Sequence, residues 1–87
     1  MLNLDWRSLN HLPNMRGRIA EASDDYETYY AEVPDGVSES DVMDDFVSTY
    51  QFANDDEDGF NRAEAEAHLR QNVASVRIAS AEELLDS

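Results

Sequence analysis

The sequence predicts a small α+β domain, an antiparallel sheet of about three strands with two or three helices packed on one side of it. Three observations predict this. Apolar residues recur at three- and four-residue steps between Asp41 and Ala53. Residues 16–33 and 75–80 read as β-structure, the first as a hairpin and the second as a lone strand. The chain has 87 residues, room for one domain (1–87) that buries only about 60% of its unfolded surface, so its stability margin is thin.

Taken in order, Leu2, Trp6 and Leu9 stand at i, i+4 and i+7 within Met1 to Leu12, and predict a short helix from near Asp5 to just before Pro13. Such a helix either lays Trp6 on the core or offers it as an exposed anchor for a partner. Arg18 to Ser23 and Tyr26 to Val33 form the hairpin arms, joined through Asp24 and Asp25, and the second arm carries the aromatic residues that favour strands. Arg16 and Arg18 are expected to pair locally with Glu32 or with the Asp24 and Asp25 turn. Pro34, Asp35 and Gly36 supply turn chemistry.

The next stretch organises the chain. Val42, Met43, Phe46, Val47 and Tyr50 line one helix face, with Asp41, Asp44, Asp45, Ser48 and Gln51 on the other. Ser38 followed by Asp41 resembles a capping box, in which side chain and backbone satisfy each other's open groups. Asn61 with Glu64 repeats that signal for a second helix, whose Ala65, Leu69 and Val73 share a face. Val76 and Ile78 share a face of the last strand, and Ala81 to Leu85 forms a closing helical turn.

Twenty Asp and Glu oppose six basic residues, all arginine, for a net charge of −14. A salt-loving or G+C-rich source, or selection for a surface of one sign, accounts equally for such a balance. Hydrophobic content of 41% marks a folded domain and not an acidic tail, so the charge belongs on the outside. There is no cysteine, hence no disulfide or thiolate site, and no apolar run reaches the ~20 residues that cross a bilayer. A soluble, cytoplasmic protein is expected. Negative charge on this scale argues against direct nucleic-acid binding, which needs basic surface.

Catalysis finds little support. His11 and His68 lie in no motif, cysteine and lysine are absent as nucleophiles, and three glycines form no phosphate loop. No cofactor and no catalytic residue are expected. The loop Asn54 to Gly59 is a weak calcium candidate: with Gly59 at the sixth position of an EF-hand loop, Asn54, Asp56 and Asp58 take the first, third and fifth. The twelfth position, normally Glu, falls on Ala65, and Asn61 takes the apolar eighth.

The charge itself is the stronger signal. Asp41, Asp44 and Asp45 on one helix, Asp55, Asp56, Glu57 and Asp58 in the loop, and Asp24, Asp25 and Glu27 in the hairpin are the candidate partner-binding residues, acting as phosphate surrogates toward a basic nucleic-acid-binding protein. Tyr26, Tyr30 and Phe60 are candidate apolar contacts beside them. In size and acidity the chain is similar to the small phage-encoded inhibitors of host defence that imitate DNA, of the anti-restriction and anti-CRISPR type. The similarity implies a non-enzymatic viral inhibitor. A small regulatory or structural adaptor from a halophilic or G+C-rich source, binding through Trp6 and the tyrosines, is the alternative.

Overall fold

The computed structural model describes residues 2–86 and is the expected α+β domain built on a three-stranded antiparallel sheet. Strands β1 (Arg18–Ser23), β2 (Thr28–Glu32) and β3 (Ser75–Ser80) lie in the order β2-β1-β3. Glu21 faces Tyr30 on one side and Arg77 on the other, which fixes the register across all three strands.

That register sorts the side chains. Ile19 and Tyr30 look to one face and meet Leu12, Met15 and Leu84; Ala20, Val76 and Ile78 look to the other and meet Val42, Val33, Leu4 and Trp6. The main helix α1 (Glu39–Thr49) covers the second face. Leu12 and Leu84 come from a 3-10 turn, Leu9–Asn14, and from the expected closing turn α3 (Ala81–Leu85), and both pieces pack on the face opposite α1. Both cores are small, and no buried side-chain polar atom among the described residues lacks a hydrogen bond.

The capping box forms as its spacing predicts: the Asp41 amide donates to Ser38 Oγ at 3.2 Å, and the Ser38 amide donates to Asp41 Oδ2 at 3.4 Å. Asn61 caps α2 (Arg62–His68) by accepting from the Glu64 amide at 3.2 Å. That helix buries no residue, and it passes into a π-helical turn, Leu69–Val73, closed by the Ala74 amide donating to Leu69 O at 2.7 Å. Leu69, at the junction, is buried and ties this arm to the body.

The N-terminus departs from expectation. No helix begins near Asp5; residues 2–8 run extended, and Arg7 exchanges two 2.8 Å backbone bonds with Tyr30 on the outer edge of β2. The helical turn starts only at Leu9 and contains Pro13. An open sheet edge satisfies the backbone of an extended segment better than two marginal helical turns satisfy themselves. Met1, part of that stretch, lies outside the described residues.

Candidate functional site: an acidic end joined by aromatic rings

Phe46 is the buried hub of an aromatic array. Its ring meets Trp6 at 5.3 Å, Tyr50 at 5.7 Å and Tyr29 at 6.0 Å between centroids; Tyr50 meets Phe52 at 4.9 Å, and Phe52 meets Phe60 at 5.7 Å. Edge-on and tilted geometries of this kind suit the ring quadrupole. The array carries the chain from the end of α1 into the acidic loop and anchors that loop at both ends, through Phe52 and Phe60.

The hairpin turn joins the same array. Asp24 Oδ1 accepts from the Tyr26 amide at 2.8 Å and the Glu27 amide at 2.7 Å, and its Oδ2 accepts from the Tyr50 hydroxyl at 2.5 Å. Two loops far apart in sequence, 24–27 and 54–59, therefore flank one cluster of rings at the C-terminal end of α1. Tyr29, beside them, donates its hydroxyl to Glu27 at 2.7 Å.

These bonds set the titration of the cluster. Burial pushes the Asp24 carboxyl up, but the bonds from Tyr50, Glu27 and Tyr26 outweigh it and the net direction is down. Its bond to Glu27, with burial, raises the Tyr29 phenol to about 12, and burial with the bond to Asp24 raises Tyr50 further. The signs give two windows. A depressed Asp24 stabilises the fold above its ordinary value of 3.8, and that contribution is lost as pH falls below it. Raised tyrosines stabilise the fold below their ordinary value of 10.0, and that contribution is lost as pH climbs toward 12 and beyond. In a spectrophotometric titration Tyr29 is expected to ionise about two pH units above a free phenol, and Tyr50 together with loss of near-ultraviolet ellipticity.

Placing negative charge after the C-terminus of a helix opposes the helix dipole, and α1 has no basic residue in its last turn. Arg62 supplies one from across the loop. Its Nη2 donates to Ser48 O at 3.0 Å and Tyr50 O at 3.1 Å, its Nε donates to Glu66 at 2.7 Å, and its guanidinium carbon lies 5.2 Å from the centroid of the Phe52 ring. One side chain thus caps α1, starts α2 and closes the acidic loop between them. Arg62→Ala is expected to lower stability by about 1–3 kcal/mol, since charge-assisted bonds to two carbonyls go together, and to raise amide exchange over residues 51–61. Thermal melts and hydrogen exchange check this.

The candidate acids divide by geometry. Asp45, assigned to the exposed helix face, is 6% exposed, and its Oδ2 accepts from the Trp6 indole at 3.0 Å. The extended N-terminal segment carries Trp6 over that flank of α1, so this carboxylate belongs to the interior. Asp44 pairs with Arg70 at 2.6 Å, and Asp41, though exposed, is engaged in the helix cap. Asp24 is occupied by its turn. Asp25, Glu27, Asp55, Asp56, Glu57 and Asp58 are exposed, and among the described residues no arginine pairs with them; the four ion pairs take Asp5, Glu66, Asp44 and Glu21 instead. Arg16 reaches Glu32 as expected, although through its amide, at 2.6 Å. Arg18 binds Val37 O, not a carboxylate.

Tyr26, between Asp25 and Glu27, is 89% exposed, whereas Tyr30 is buried and Phe60 is half-buried against Phe52. Gly59 closes the acidic loop at φ 82°, a left-handed conformation that favours glycine over every other residue. Among the described residues no three His, Asp or Glu side chains converge on a point fit for a metal ion, Asp56 and Asp58 of the calcium alignment included. No helix among them is long and apolar enough to cross a membrane.

Fold and site together define a small acidic α+β domain with two carboxylate-rich loops at one end. Comparison with protein-family models, with curated proteins and with solved structures finds no match for the chain.

Proposed function

We propose that this chain is a non-enzymatic binding protein whose acidic end occupies the nucleic-acid-binding site of a basic partner, as an inhibitor of the anti-restriction or anti-CRISPR type does. One observation carries the reading: Asp25, Glu27 and Asp55 to Asp58 stand exposed and, among the described residues, without an arginine partner, on two loops braced by one ring cluster. A groove lined with Lys and Arg for phosphates attracts such a surface and steers its docking. Tyr26 adds an exposed aromatic contact between two of the acids.

The adaptor reading, in which acidity reflects only the source of the protein, has less support. The anchor it relies on, Trp6, is half-buried and bonded to Asp45. Capture from lysate on the immobilised protein tests the proposal. Captured partners should be nucleic-acid-binding proteins, released both by raised salt and by added duplex DNA. Retention unaffected by either would refute it.

A further inference from the structure

A cleft of about 410 Å³ opens between α1, β2 and the N-terminal segment, lined by Leu4, Trp6, Tyr29, Phe46 and Tyr50 with the polar Thr49 and Gln51. We propose that it receives the guanidinium head of one arginine side chain from the basic partner. The inference rests on the function proposed above and names the group recognised at a second point of the same surface.

The direction of the polar hydrogens carries the argument. The indole N–H of Trp6 is committed to Asp45, the hydroxyl of Tyr29 to Glu27 and the hydroxyl of Tyr50 to Asp24. Each polar hydrogen of the lining rings thus points at a carboxylate. The cleft is lined by these rings together with Leu4, Thr49 and Gln51, three acids hold the polar edges of the rings, and a phenol that donates to an anion has a more electron-rich ring. An anion finds no free ring donor there, whereas a cation finds aromatic rings, the Gln51 side chain as a neutral polar neighbour, and carboxylates at the polar edges of three rings.

The chain already uses this chemistry once, with Arg62 over the Phe52 ring farther along the same array. Its own arginines do not fill the cleft, since among the described residues none lines it. Guanidinium fits better than ammonium because it is planar, weakly hydrated and stacks on rings. It is also the group that phosphate-binding grooves present in quantity.

The test titrates the full chain with Nα-acetyl-arginine amide and, separately, with its neutral isostere Nα-acetyl-citrulline amide, following the Trp6 indole and the tyrosine ring signals by NMR. The arginine derivative is expected to shift the Trp6, Tyr29 and Tyr50 signals and to bind about tenfold more tightly than the citrulline derivative. Tyr29→Leu should abolish that preference, and Tyr50→Phe, which keeps the ring and loses the bond to Asp24, should weaken it about two- to threefold. Equal binding of the two derivatives, or shifts confined to Asp55–Asp58, overturns the inference; the wild-type comparison decides this even if a variant fails to fold. The two readings fail separately. Salt- and DNA-sensitive capture without cleft shifts sinks only the arginine receptor, while cleft shifts without such capture sink only the nucleic-acid-site reading.

Discussion

Phe46→Ala is expected to leave the protein largely unfolded at room temperature. Phe46 is 3% exposed, and three aromatic rings, from the N-terminal segment, from β2 and from the end of α1, rest on it. Truncating a buried Phe costs about 3–5 kcal/mol. A domain of this length holds roughly 4–13 kcal/mol in all, and self-repulsion of its acids places it low in that range. The loss exceeds one side chain's burial, because Trp6 and Tyr50 lose the surface that orients their bonds to Asp45 and Asp24. Denaturant titration followed by Trp6 fluorescence reads the effect. Phe46→Leu, which keeps most of the volume, should fall by less than half as much. A near-native midpoint for Phe46→Ala would show that the array is not the keystone inferred from its geometry.

Neutralising the loop, with Asp55→Asn, Asp56→Asn, Glu57→Gln and Asp58→Asn together, is expected to have the largest effect on binding and the opposite effect on stability. Among the described residues none of these carboxylates pairs with an arginine. Removing their charge relieves repulsion and eases the C-terminal end of α1, so the melting temperature should rise at low salt. Affinity for the captured partner should fall about 100-fold or more at low salt. If the partner's groove treats each carboxylate as it treats a phosphate, the salt slope should flatten by up to about 0.9 per charge removed. Wild-type affinity in the fourfold variant would move the interface off this loop. Asp45→Asn separates the two kinds of acid, since it should lower stability by weakening the acceptor of a part-buried indole N–H while leaving the outward surface charge in place.

Much of the fold was legible because its signals are local. The capping box at Ser38 and Asp41, the Asn61 cap, the hairpin with its turn at Asp24 and Asp25, and the last strand follow from residues a few positions apart, whose spacing decides which backbone groups are satisfied. The N-terminal helix misled because Leu2 and Trp6, four residues apart, share a face in an extended segment as they do in a helix, while Leu9, the third member of the pattern, falls in the 3-10 turn and is exposed. Its true partner, Tyr30, is 23 residues from Arg7 and invisible to periodicity.

The same distinction runs through the site. Net charge of −14, the absence of lysine and cysteine, and the order of acids in each loop are properties of the chain alone. Which acids face outward is not, since Asp44 and Asp45 are neighbours in sequence and one meets Arg70 while the other is sealed under Trp6. The Asp24–Tyr50 bond, which ties the hairpin turn to the ring cluster, spans 26 positions, and Arg62 reaches back 14 to cap α1. Composition determines how much charge a folded chain must carry on its outside. Tertiary contact decides where it gathers, because burial and pairing of a carboxylate depend on segments that only folding brings to it.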